Sequence, residues 1–278
     1  MAEVTANSKL LNKTRVHVDD TGGTGRPVVL IHGWPLSAES WSEQTAALSD
    51  AGYRVVAYDR RGFGRSDKPS GGYDYDTLAD DLDGVLSEME LTDVTLVGFS
   101  MGGGEVARYV TKHGQDRLRS VVFAAAVPPY LMKTDDNPDG PLTEDAAAEM
   151  TKGLESDRTT FFDGFMQAFF SVDGDLKVTE EQRQEAIAQS HQSDQQAALG
   201  CMEAFATTDF RDDLPAITVP TLVIHGAGDG TVPFDGSGKR THEALPHSEL
   251  VVVEGAPHGF NVSHAQEFNR ALIDFLQR

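Results

Sequence analysis

Ser100 stands in V-T-L-V-G-F-S-M-G-G-G, residues 94–104, between an apolar run that reads as a buried strand and a stretch that reads as a helix from about Met101. A serine on so sharp a strand-to-helix turn needs strained backbone angles. The residues two before and two after it crowd the turn, so Gly98 and Gly102 are the types required there. Such an elbow lifts the Ser100 hydroxyl above the sheet edge, and the helix behind it aims free N–H groups and the positive end of its dipole at the same place. A glycine-rich turn with an ordinary serine would look alike taken alone, but here strand and helix fall on the correct sides. A serine hydroxyl also needs an imidazole to take its proton and a carboxylate to fix that ring's tautomer. Two downstream strand ends carry them: Asp229 follows the apolar run 221–225, and His258 follows 250–254 in G-A-P-H-G-F. Asp235 and Asp209 are the alternative acids. His113, His191, His242 and His247 read as solvated residues, and His225, inside an apolar strand, as a hydrogen-bonded core histidine. No pair shows zinc-ligand spacing such as H-E-x-x-H, so no metal is expected.

The elements that must position these groups alternate. Residues 14–18 suggest one or two antiparallel edge strands, and 27–32 (P-V-V-L-I-H) a central strand buried on both faces. A helix over 37–49, a strand over 53–58, a helix over 77–89, the strand 94–99, a helix over 101–113 and a strand over 118–126 follow. Unbroken alternation implies right-handed crossovers and a parallel sheet. From 127 to 213 no central strand is expected. Helices start there near Thr143, Thr159, Thr179 and Ser193, the third with a capping box to Gln182. The sheet resumes at 221–225, with helices over 236–244 and 263–276 around the strand 250–254. The expected class is therefore α/β: a mostly parallel central sheet flanked by helices, with core segments 1–126 and 214–278 and an inserted helical cap at 127–213. The chain order Ser, Asp, His is the order of the α/β-hydrolase fold. On that fold the second oxyanion donor follows the first central strand, which makes it the backbone N–H of Trp34, paired with that of Met101. His32 reads as a hydrogen-bonder beneath that loop, and residues 59–65 (D-R-R-G-F-G-R) as a network supporting the site.

With 278 residues the chain suits one α/β unit with an insertion. Its 44 acids against 23 bases give a formal charge of −21, which argues against nucleic acid and anionic membranes as partners. No apolar run is long enough for a membrane span and residues 1–7 do not resemble a signal peptide, so a cytoplasmic protein is expected. Cys201 is the only cysteine, which rules out an intrachain disulfide. Asn12-Lys13-Thr14 and Asn261-Val262-Ser263 match glycosylation triplets without a secretory context.

The chain resembles the cofactor-free haloperoxidases, or perhydrolases and arylesterases, of the α/β-hydrolase superfamily. The resemblance rests on L-I-H-G-W-P-L (30–36), Y-D-R-R-G-F-G-R-S (58–66), G-F-S-M-G-G-G-E-V-A-R-Y (98–109), T-D-F-R-D-D-L (208–214), V-P-T-L-V-I-H-G (219–226) and A-P-H-G-F (256–260). It implies that Ser100, Asp229 and His258 form the triad and Trp34 and Met101 the oxyanion hole. It also implies an acyl pocket lined by Phe165, Phe169, Phe205, Val232 and Phe234. Phe162, Phe165 and Phe169 recur at helical spacing, a stripe that fits plain core as well as pocket. Ala227 and Thr231 depart from the family pattern beside that pocket, where an acid and a larger apolar residue are usual. The activity implied is hydrolysis of small carboxylic esters through an acyl-enzyme, with hydrogen peroxide able to replace water and with a homo-oligomeric assembly. Lactam, amide or C–C bond hydrolysis on the same triad, and a ligand-binding receptor, are the alternatives. Dehalogenases and epoxide hydrolases need a carboxylate nucleophile at position 100.

Overall fold

The computed structural model describes residues 2–6 and 14–278, the former as backbone strand only. Met1, Asn7 and the Asn12-Lys13 pair of the first glycosylation triplet lie outside the described residues. The chain runs β1 (Ala2–Ala6), β2 (Thr14–Asp20), β3 (Pro27–Ile31), α1 (Ser42–Asp50), β4 (Arg54–Tyr58), α2 (Tyr75–Glu88), β5 (Val94–Phe99), α3 (Met101–His113) and β6 (Leu118–Ala124). It then leaves the sheet for α4 (Glu144–Ser156), α5 (Arg158–Phe169), a small hairpin β7 (Ser171–Val172) and β8 (Asp175–Leu176), α6 (Glu180–Gln192) and α7 (Gln195–Thr207). It returns through β9 (Thr221–Gly226), α8 (Gly238–Ala244), β10 (Glu249–Val253), α9 (Phe260–Ser263) and α10 (Ala265–Leu276).

The eight-stranded sheet has the order β1-β2-β4-β3-β5-β6-β9-β10. β1 and β2 are its antiparallel part, and the other strands pair in parallel. The continuous apolar runs have the expected cause, since both sheet faces are covered. Along β3, Val29 and Ile31 join Leu78 and Leu82 of α2 and Val106 and Val110 of α3 in one core. Val28 and Leu30 point the other way, to Trp41, Leu48, Phe268 and Leu272. Among the described residues no helix is long and apolar enough to cross a membrane.

Local chemistry sets several boundaries. At the start of α6 the Thr179 hydroxyl oxygen accepts from Gln182 N and Gln182 Oε1 accepts from Thr179 N, the expected capping box. α5 and α7 begin at aspartates instead of the nearby Thr159 and Ser193. Asp157 Oδ1 accepts from Thr160 N at 3.0 Å, and Asp194 Oδ1 from Gln196 N and Ala197 N. A carboxylate at the N-cap also meets the positive end of the helix dipole. The helix expected over 37–49 opens as a 3-10 turn, Ala38–Trp41, before α1, and the final helix breaks at His264.

Candidate active site

β5 delivers Ser100 into α3 at φ +54° and ψ −119°, a left-handed conformation that an L-residue adopts only under constraint. The flanking glycines are sterically required. A Cβ on Gly98 would lie 2.5 Å from the Gly102 carbonyl oxygen, and one on Gly102 2.5 Å from that of Ile31. The Ser100 N–H is anchored to Ala124 O at 2.9 Å, and its carbonyl accepts from Gly103 N and Val127 N. Ser100 is thus held by β6 and by its own helix.

The turns after β9 and β10 bring Asp229 and His258 to the same end of the sheet. His258 Nε2 lies 2.9 Å from Ser100 Oγ, and its Nδ1 lies 2.6 Å from Asp229 Oδ2. A carboxylate only accepts, so Nδ1 carries the hydrogen and the Nε2 lone pair faces the serine hydroxyl. Asp229 Oδ1 is occupied by the N–H groups of Thr231 (2.9 Å) and Val232 (2.8 Å). Burial alone would push the Asp229 carboxyl up, but the His258 imidazole and the donors around it hold it at about 2, against an ordinary 3.8. The carboxylate therefore stays ionised beside the His258 ring. The rings of Phe99 and Phe169 pack on His258 at centroid distances of 5.1 and 4.9 Å.

The alternative acids sit elsewhere. Asp235 is exposed and pairs with Lys239, and Asp209 pairs with Arg211. The other histidines have their own partners more often than solvated side chains would. His113 bonds Asp80 at 2.9 Å and stacks on Tyr109, and His242 bonds Ser248. His225 is a fully buried, hydrogen-bonded residue of β9, with Nε2 2.8 Å from Val232 O. His32 accepts from Arg60 N at Nε2 and meets Gly33 O at Nδ1. Burial, with the Arg60 guanidinium next, pushes it down to about 3, so it is a neutral strut.

Beneath the site Asp59 accepts from Ala38 N and from Arg65, and buried Arg60 ties the His32 carbonyl to the Glu105 carboxylate. Tyr58 Oη completes that cluster by donating to Glu105 at 2.6 Å. Glu105 is a member that sequence patterning misses, because an acid on the buried face of α3 has no local signature.

The loop after β3 packs directly on the elbow, for a Cβ on Gly33 would fall 3.1 Å from Ser100 Cβ. Trp34 follows, its peptide to Pro35 cis, and its Nε1 donates to Ala198 O of α7 at 2.9 Å. Met101 is the first residue of α3, where a backbone N–H has no intrahelical acceptor. A cavity of about 560 Å³ opens above Ser100, with Trp34, Phe165, Phe205 and Val232 in its wall. Leu131, Leu142, Met150 and Phe161 complete much of its apolar lining and are not singled out by sequence; Thr231 lines it and Ala227 does not. Two expected pocket residues are elsewhere. Phe169 is fully buried behind His258, against Phe99 and Phe170. Phe234 turns away from the cavity onto the ring of His225, 5.5 Å between centroids.

Residues 26–265 match the family described as alpha/beta hydrolase fold. The chain is 43% identical over 259 residues to a non-heme chloroperoxidase of Kitasatospora aureofaciens, covering 92% of this chain and 94% of that one. It is 36% identical over 261 residues to a bifunctional esterase/perhydrolase of Acinetobacter calcoaceticus, covering 93% and 94%. A solved bromoperoxidase structure from Bacillus anthracis superposes with a TM-score of 0.95 at 49% identity, over 100% of this chain and 99% of that one. Fold, strand-end placement of the serine and likeness over nearly the whole length agree, and the chain belongs to the α/β-hydrolase family, among its non-heme haloperoxidases and their esterase/perhydrolase relatives.

Proposed function

We propose that the protein hydrolyses small, uncharged carboxylic esters through an acyl-enzyme on Ser100, with hydrogen peroxide able to take the place of water as acceptor. The observation that carries the reading is the relay from Ser100 Oγ to His258 Nε2 (2.9 Å) and from His258 Nδ1 to Asp229 Oδ2 (2.6 Å), set at the floor of an apolar cavity. In this reading His258 takes the Ser100 proton as Oγ attacks the ester carbonyl, then gives it to the departing alcohol. Asp229 orients the ring and stabilises the imidazolium. The N–H groups of Trp34 and Met101 receive the tetrahedral oxygen, a contribution of about 3–4 kcal/mol for one such donor. Water or peroxide, deprotonated by His258, then releases an acid or a peracid and restores the serine. Trp34, Phe165, Phe205 and Val232 hold the acyl group or alcohol, and residues 127–213 serve as the cap, between core segments 1–126 and 214–278 that carry the triad.

The test is turnover of 4-nitrophenyl acetate and butyrate by the wild type, Ser100→Ala and His258→Ala, with peracid measured when peroxide is added. Each variant is expected to lose about 10⁶-fold in kcat while melting like the wild type, because nucleophile and base act as one unit. A Ser100→Ala enzyme within tenfold of wild type sinks the reading. Turnover confined to lactams, amides or C–C bonds, or ligand binding without turnover, moves the function to one of the alternatives on the same constellation.

A further inference from the structure

His225, the penultimate residue of β9, lies four residues before Asp229, has no exposed surface, and is not used by the relay described above. Its Nε2 lies 2.8 Å from the Val232 carbonyl oxygen and 3.2 Å from Asp229 Oδ2, the oxygen that also meets His258. Both neighbours only accept, so Nε2 carries the hydrogen; it bonds the Val232 carbonyl and turns the positive end of the N–H toward Asp229 Oδ2 beside it. Among the described residues Nδ1 has no hydrogen-bond partner, and it faces the start of α8, where a Cβ on Gly238 would come within 2.4 Å of it. Backbone on one edge and the Phe234 ring on one face leave the imidazole seated with Nε2 toward the carboxylate.

We propose that His225 is a positioning residue for catalysis: a second imidazole whose Nε2–H shares Asp229 Oδ2 with His258 and limits how tightly that carboxylate holds the imidazolium formed in each acyl transfer. The proposal rests on the reading of Ser100, His258 and Asp229 as the triad. With His225 in place, three hydrogen bonds reach one carboxylate, two from backbone N–H groups at Oδ1 and one from His258 Nδ1 at Oδ2, and the His225 Nε2–H adds a fourth positive end 3.2 Å from Oδ2. Each donor takes a share of the negative charge and weakens the carboxylate as a partner for the others. The groups facing this assembly are His258 from the turn after β10, His225 from β9, the Thr231 and Val232 amides from the β9–α8 loop, and Ser100 from the β5–α3 turn on the far side of His258. Phe99, Phe169 and Phe234 cover ring faces. Loss of the His225 donor leaves a carboxylate that binds the His258 imidazolium more strongly. The neutral base is then reached only at higher pH.

The experiment is the profile of kcat/KM for 4-nitrophenyl acetate over about pH 5–9 in wild type, His225→Leu and His225→Gln, with Ser100→Ala as control. The leucine variant is expected to move the acidic limb up by about half to one pH unit, with a loss of about three- to tenfold near neutrality. Gln places an amide N–H near the Nε2 position and should return the limb toward wild type. A folded leucine variant whose limb stays in place or moves down overturns the proposal, whatever its melting temperature. Nitrogen-15 NMR of histidine-labelled wild type gives a reading that needs no variant. A hydrogen held on Nε2 of His225 across this range supports the assignment, and a hydrogen on Nδ1 alone overturns it. If Ser100→Ala keeps its activity the triad reading fails with it. If that control is dead and the His225→Leu limb is unmoved, only the role of His225 fails.

Discussion

Asp229→Asn tests the site more sharply than removal of the nucleophile, because the structure dictates which way the new amide must face. At wild-type Asp229 the Oδ1 position receives two backbone N–H groups, at 2.9 and 2.8 Å. An amide NH₂ turned there would oppose donors with donors, at a cost of about 1–3 kcal/mol for each buried group left unpaired. The asparagine carbonyl therefore takes that side and the NH₂ faces His258. To meet a donor, Nδ1 must become the acceptor, and the ring's single hydrogen moves to Nε2, the atom 2.9 Å from Ser100 Oγ. The base then presents a proton where it needs a lone pair. A wrong-tautomer triad of this kind loses about 10⁴-fold in kcat, or about 5.5 kcal/mol at 1.36 kcal/mol per decade. The assay is the burst of 4-nitrophenolate on acylation near neutral pH. Stability moves separately. A carboxyl held at about 2 in the fold and 3.8 in the free chain contributes about 2 kcal/mol that is present above pH 4 and lost as pH falls toward 2, and the asparagine lacks that term at every pH. The variant should melt a few degrees lower and still fold. Acylation within tenfold of wild type, or equal damage from Asp235→Asn or Asp209→Asn, refutes the reasoning.

Among the described residues, none of the side chains around the cavity over Ser100 is charged. A carboxylate on the acyl group would be desolvated there without a partner, so the 4-nitrophenyl half-ester of succinate should show kcat/KM at least about 100-fold below the butyrate ester; parity would place the acyl group outside this cavity. The net charge of −21 predicts that the melting temperature rises from low to molar NaCl, as ions screen carboxylate repulsion over about 10 Å at 0.1 M salt. A flat or falling trend in a melting series would remove self-repulsion as a limit on stability.

The positions of Ser100, Asp229 and His258 were legible because each depends on a short local pattern: an apolar run long enough for one buried strand, followed by Gly, Asp or Pro punctuation at its carboxyl end. A parallel sheet then collects those ends on one edge whatever lies between them in the chain, and here 127 residues lie between Ser100 and the start of the Gly228-Asp229 turn. Glu105 and the second contact of His225 were not legible, because both depend on which distant group arrives opposite a buried polar atom. No spacing rule encodes that meeting.

The pocket shows the same limit within a single helix. α5 carries Phe161, Phe162, Phe165 and Phe169, and residues four apart on a helix advance by about 40° around its axis. Thr160, Phe161, Gly164, Phe165 and Ala168 lie on one arc and line the cavity. Phe162 and Phe169 fall beyond the edge of that arc and are completely buried, Phe162 beside Trp34 and Phe169 against His258. Sequence periodicity identifies the stripe, but both flanks of this helix are apolar: one bounds the cavity and the other packs solid core. Hydrophobicity scores the two alike. What separates them is the roll of α5 about its own axis, and that is set by long-range contacts. Trp34 meets Phe161, Phe162 and Phe165 edge-on at 5.1–6.2 Å, and Gly259 N donates to Phe169 O at 2.9 Å. Those contacts tie the wall of the cavity to the loops that carry Trp34 and His258, the oxyanion donor and base of the proposed mechanism. A substitution at Phe162 or Phe169 would therefore act on catalysis through the seat of Trp34 or His258, whereas one at Phe161 or Phe165 acts on the volume offered to substrate.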